Sequence, residues 1–116
     1  MFPEVVELIM TADDADWLGE FVGSLVTDRQ IACGNISGPI RSRYRWNGVV
    51  EDQTEYRATL HTRASLVPTI VARIKSEHPY DVPAVIATPL IGGNEDYFTW
   101  VIAETDPPAS NEAVTE

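Results

Sequence analysis

The chain has one cysteine, Cys33, and one lysine, Lys75, among its 116 residues. A lone cysteine excludes an internal disulfide and fits a reducing compartment. No apolar run approaches the roughly 20 residues needed to cross a bilayer as a helix. The opening residues Met1-Phe2-Pro3-Glu4 lack the basic segment and apolar core of a secretory leader, so the expected location is cytoplasmic. Positive charge is scarce: 8 Lys and Arg stand against 18 Asp and Glu, a formal net charge of -10. Such a surface repels phosphate backbones and disfavours nucleic acid as a partner. A glycine-rich phosphate loop is missing, because Gly92-Gly93 precedes Asn94 without the lysine that loop requires. Metal motifs with closely spaced ligands are missing too. Cys33 and His78 outline a nucleophile–base pair, but no cysteine-enzyme signature surrounds them, and a non-catalytic protein is expected.

What is present reads as one globular domain over residues 1–104 followed by a disordered acidic tail over 105–116. Residues 5–11 are β-branched and apolar, the pattern of a buried strand. Asp13 or Asp14 then offers a helix cap, and Trp17, Leu18, Phe21, Val22, Leu25 and Val26 recur at helical spacing. Residues 31–36 predict a short strand interrupted near Gly38-Pro39. From Ile40 the chain alternates, and Asn47-Gly48 is a strong signal for a two-residue hairpin turn. Counting outward from that turn places Arg43 opposite Asp52 and Tyr44 opposite Glu51, in a hairpin long enough for part of it to project. Ser65 is positioned to cap a second helix carrying Leu66, Ile70, Val71 and Ile74, which Pro79 terminates. Residues 84–90 predict another buried strand, and Tyr97, Phe98, Val101 and Ile102 mark a third helix with Trp100. The order β-α-β-β-α-β plus a terminal helix is the split βαβ arrangement of a ferredoxin-like α+β fold. One sheet face and the projecting hairpin are left to be covered, which favours oligomerisation.

Four segments carry a family likeness: Ile31-Ala32-Cys33-Gly34-Asn35-Ile36, Tyr44-Arg45-Trp46-Asn47-Gly48-Val49-Val50-Glu51, His78-Pro79-Tyr80-Asp81-Val82-Pro83, and Asn94-Glu95-Asp96-Tyr97-Phe98-Thr99-Trp100. Together, and in this order, they resemble the CutA divalent-cation tolerance family over about residues 5–103. The resemblance implies a homotrimer similar in fold to the nitrogen-regulatory signalling proteins, with clefts between subunits. It also implies binding of copper or another divalent ion, and a link to metal tolerance in which an unidentified protein partner has room. Members usually carry a lysine before the threonine that ends the third strand; here His61 precedes Thr62. A histidine is a poorer fixed cation and a better metal ligand than a lysine.

The metal-ligand candidates are therefore Cys33, His61 and His78, each with a plainer reading beside it. Cys33 reads as a small buried hydrophobe or as a soft-metal thiolate. The hairpin register, extended, pairs Gly34 with His61 and Cys33 with Thr62, which puts Cys33 and His61 on opposite faces. A bulge at Gly38-Pro39 would change that and let the two co-ligate one ion. His78 follows a helix C-terminus, where an imidazolium gains from the dipole, or else has its tautomer fixed by Asp81. Arg41, Arg43 and Arg45 read as partners of hairpin carboxylates or as an anion-binding wall. Tyr44, Trp46, Tyr80, Asp81, Arg43 and Trp100 are the expected cleft or interface residues, and a small anionic ligand in that cleft is the alternative function.

Overall fold

The computed structural model describes residues 4–106. Strand β1 (Val5–Ala12) is followed by helix α1 (Ala15–Thr27), strand β2 (Cys33–Trp46), strand β3 (Val49–Arg63), helix α2 (Val67–Glu77), strand β4 (Val85–Pro89) and helix α3 (Glu95–Glu104). The strands form one antiparallel sheet in the order β2-β3-β1-β4. This is the ferredoxin-like α+β topology that the element order predicts.

Period-two alternation in β1 sends Val6, Leu8, Met10 and Ala12 to one face, where they pack with Leu18, Phe21, Val22 and Leu25 of α1 and Ile70 and Ile74 of α2. Fully burying each Leu or Ile here contributes about 1.5–3 kcal/mol. The helix starts follow from local chemistry. Asp14 accepts from the backbone N–H groups of Asp16 and Trp17 at 2.9 and 3.0 Å, and Asn94 caps α3 through Asp96. Ser65 does not cap α2. It lies in a 3₁₀ turn (Ala64–Leu66) that leads into the helix, whose start has no side-chain cap and carries Pro68 in its first turn. On the opposite sheet face, Val5, Ala32, Phe98 and Val101 form a second, smaller cluster that pins α3.

Three further expectations change. Residues 33–36 of the expected short strand belong to the continuous strand β2, which passes through Gly38-Pro39 as a bulge rather than an interruption, and Ile31 and Ala32 precede it. The strand expected over 84–90 is not buried: β4 lies at the sheet edge, and Ile86 is 61% exposed. Residues 105 and 106 are docked rather than part of a tail. Thr105 is buried and accepts from Arg63 Nε at 3.0 Å, while Asp106 pairs with Arg29 at 2.7 Å. Residues 107–116 of the expected tail lie outside the described residues.

β1 pairs with β3 only from Tyr56 to Arg63, so the turn-side part of the β2–β3 hairpin projects as a two-stranded ribbon. Asn47 and Gly48 take the positive φ values, 50° and 79°, of the expected turn. Among the described residues, no helix is long and apolar enough to cross a membrane.

Candidate functional site

The bulge determines what meets what. From the turn down to Ile40, which sits opposite Glu55, the register is the one the sequence predicts, with Arg43 facing Asp52 and Tyr44 facing Glu51. Gly38 and Pro39 then set two residues of β2 against Tyr56 alone, and pairing resumes at Ser37 opposite Arg57. Below the bulge every partner is displaced by one. Cys33 therefore lies opposite His61, not Thr62, and the two share a face. Gly38 sustains this geometry with φ of 145°, in the region glycine favours.

Across the sheet Cys33, His61, Glu7 and Thr88 form one row, contributed in turn by β2, β3, β1 and β4. Cys33 Sγ is 3.8 Å from His61 Nδ1. On the far side of the ring, His61 Nε2 lies 2.9 Å from Glu7 Oε1. The carboxylate can only accept here, so Nε2 carries the proton and Nδ1 presents its lone pair toward Cys33. Tyr97 of α3 closes the arrangement. Its hydroxyl is 2.5 Å from His61 Nδ1 and 3.0 Å from Cys33 Sγ, and its ring meets the imidazole edge-on at 5.6 Å. Burial, followed by the hydrogen bond with Cys33, pushes the Tyr97 phenol well above its ordinary value, so it is a neutral donor near pH 7.

This donor set fits a soft ion. A thiolate and an imidazole at bond lengths of about 2.3 and 2.0 Å span roughly 3.5–3.8 Å at tetrahedral to trigonal angles, close to the separation between Cys33 and His61. A carboxylate behind the second imidazole nitrogen is the usual support of a metal-bound histidine, and Glu7 holds that place. Among the described residues no three His, Cys, Asp or Glu side chains converge, because Glu7 lies across the ring from Cys33. A further donor would come from solvent or another chain.

His78 stands elsewhere. It is 6% exposed, and both ring nitrogens are engaged: Nε2 donates to the Thr11 carbonyl at 2.8 Å, and Nδ1 accepts the Tyr80 N–H at 3.0 Å. Thr11, not Asp81, fixes its tautomer. Its ring also packs edge-on against Trp17 and Tyr80.

The other expected residues gather around a cleft of about 770 Å³ between the ribbon, the end of β1 and residues 80–84. Arg43, Tyr44, Trp46, Tyr80 and Asp81 all line it, whereas Trp100 lies apart on α3, 5.7 Å from the Tyr97 ring. Tyr80 donates to the buried Glu55 at 2.7 Å; burial and that carboxylate push its phenol well above the ordinary value. Tyr44 donates to Gln53, which donates in turn to Asp13 at 3.2 Å. Although Arg43 faces Asp52, the ion pair is made by the diagonal neighbour Arg41, at 2.9 and 2.6 Å. That pairing holds the Asp52 carboxyl below its usual range. Among the described residues, Arg43, Arg45 and Arg57 have no carboxylate partner.

Two members of the thiol–imidazole cluster escape the sequence reading. Glu7 is the one charged residue in an apolar strand, a signal that is legible in principle. Tyr97 reads as a core position of a short helix, and only the fold sets it against the sheet row.

Known proteins agree with this architecture. The family model described as "CutA1 divalent ion tolerance protein" matches residues 6–104. The divalent-cation tolerance protein CutA of Pyrococcus horikoshii is 42% identical over 92 residues, covering 78% of this chain and 89% of that protein. The bovine protein CutA is 36% identical over 91 residues, 77% of this chain; the match spans about half, 52%, of that longer relative. Among solved structures, CutA1 from Oryza sativa superposes with a TM-score of 0.88 at 32% identity, covering 92% of this chain and 98% of that one. CutA1 from Thermus thermophilus gives 0.85 at 30% identity, covering 88% and 99%. Fold, segment order and matched length agree, and the chain belongs to the CutA1 divalent ion tolerance family.

Proposed function

We propose that this protein is a non-enzymatic homotrimer that binds copper or another divalent ion in the cytoplasm and contributes to cation tolerance. The observation that carries the metal reading is the pairing of Cys33 Sγ with His61 Nδ1 at 3.8 Å, with Glu7 directing the lone pair. A thiolate and an imidazole suit Cu(I) or Zn(II) better than a hard cation. Association is supported by the open edges of β2 and β4, by the projecting ribbon, and by the exposure of Ile86, Val82 and Trp46. A trimer would also bring further donors and walls to sites that one chain leaves incomplete.

Calorimetric titration with Cu(I), Cu(II) and Zn(II), together with mass measurement under native conditions, tests both parts. Three copies per particle are expected, and Cys33→Ser and His61→Ala should each weaken binding at least ten-fold. Unchanged affinity in both variants would overturn the metal assignment, and a stable monomer the assembly. A second reading, a signalling module that binds a small anion, rests on Arg43 and Arg57, which line the cleft without carboxylate partners. It predicts salt-sensitive binding of an anion that is lost in Arg43→Ala.

A further inference from the structure

Tyr97 occupies the space between the two soft donors. Because His61 Nε2 is committed to Glu7, its Nδ1 can only accept, and the Tyr97 hydroxyl donates to it at 2.5 Å. The hydroxyl oxygen is then left to accept from the Cys33 thiol at 3.0 Å. Both ligand atoms are engaged by one oxygen. An ion bonded to Sγ at about 2.3 Å and to Nδ1 at about 2.0 Å would need that same volume. The hydroxyl and the ion cannot occupy it together.

We propose that Tyr97 is the specificity gate of the Cys33–His61 site: its hydroxyl holds the ion's place and is displaced when a thiophilic ion binds, the Cys33 thiol proton passing to solvent as the sulfur–metal bond forms. This rests on the metal reading above and adds the competitor built into it. An ion must recover more from sulfur and nitrogen than the two hydrogen bonds it breaks. Cu(I) and Zn(II) do so; Mg²⁺ and Ca²⁺, which gain little from such donors, do not. Displacement also has a direction. The Tyr97 ring packs against Trp100 at 5.7 Å, and Trp100 is 42% exposed, so movement of the gate changes the surroundings of a surface indole.

Tyr97→Phe tests this, since it keeps the ring and removes only the hydroxyl. Affinity for Cu(I) and Zn(II), measured by chelator competition on wild type, Tyr97→Phe and Tyr97→Phe/Cys33→Ser, should rise about ten-fold in the single variant, a modest net worth for the two hydrogen bonds removed, and fall in the double variant. Zn(II), which does not quench, should shift tryptophan emission in wild type but not in Trp100→Phe. Weaker binding by Tyr97→Phe would make the phenol a ligand and overturn the gate, as would unchanged affinity. Saturation with Zn(II) without any Trp100-dependent shift would overturn the transmission to the surface. Binding that survives Cys33→Ser, or no binding by any form, would instead bring down the metal reading itself.

Discussion

Glu7 shows how much one side chain can decide without touching a ligand. An imidazole has two chemically distinct nitrogens, and the one that meets Cys33 is useful only if it is bare. The carboxylate 2.9 Å behind the ring keeps it so. Glu7→Gln retains a hydrogen-bond acceptor but loses the charge and can flip its amide, so the preference for the Nε2–H tautomer weakens. Zn(II) affinity should fall about ten-fold, the lower end of what such supporting partners contribute, with thermal stability little changed; chelator competition beside a melting curve checks both. His78 teaches the converse. Its residue type made it a ligand candidate, but burial and two committed nitrogens make it a clamp between β1 and the segment after α2. Residue type was readable from the sequence. That neither nitrogen is free was not, because one of the two is taken by Thr11, which lies 67 positions away in the chain.

At the scale of elements, the governing feature is the register change inside the β2–β3 hairpin. A one-residue slip reverses the facing of every side chain beyond it, so the fate of Cys33 rested on a local irregularity five residues away. Alternation and turn chemistry were legible: the Asn47-Gly48 turn and the pairing of Arg43 with Asp52 follow from counting. Gly38-Pro39 flagged where a bulge could form, but whether one residue or two were accommodated was not encoded in pattern alone. A Cβ on Gly38 would lie 2.7 Å from Tyr56 Cδ2 and 3.2 Å from the Glu55 carbonyl, at a φ that L side chains rarely adopt. Gly38→Ala should therefore destabilise the fold by about 1–3 kcal/mol in urea titration and weaken metal binding in parallel, as the lower hairpin loses its alignment. β4 misled for another reason. An apolar run signals burial but does not say whether its own chain covers it, and here Ile86 stays 61% exposed at the sheet edge.

At the scale of the whole molecule, the response to alkali depends on neighbours within the chain. Tyr80 and Tyr97 are held protonated by burial and by their hydrogen-bonded neighbours, above the ordinary phenol value of 10.0. For a group whose folded pKa is raised, the stabilisation is complete below the unfolded value and is lost as pH rises through and beyond it, because the unfolded chain then releases a proton that the folded chain retains. The melting temperature should thus fall as pH climbs past about 10, and Tyr80→Phe should flatten that decline. A melting series from pH 8 to 12 gives the slope directly. Charge and hydropathy, legible from the start, argued against a membrane helix and disfavoured nucleic acid; they were silent on a response set by two half-buried hydroxyls.

The bulge has one more consequence, mechanical rather than chemical. It divides a single hairpin into two segments whose inside–outside parity is set separately: the lower one by the core beneath α1, the upper one by the Asn47-Gly48 turn. Twisting or re-registering the ribbon against another molecule need not rotate the strand that carries Cys33. The joint at Gly38 thus separates the orientation of the arm from the aim of the thiol.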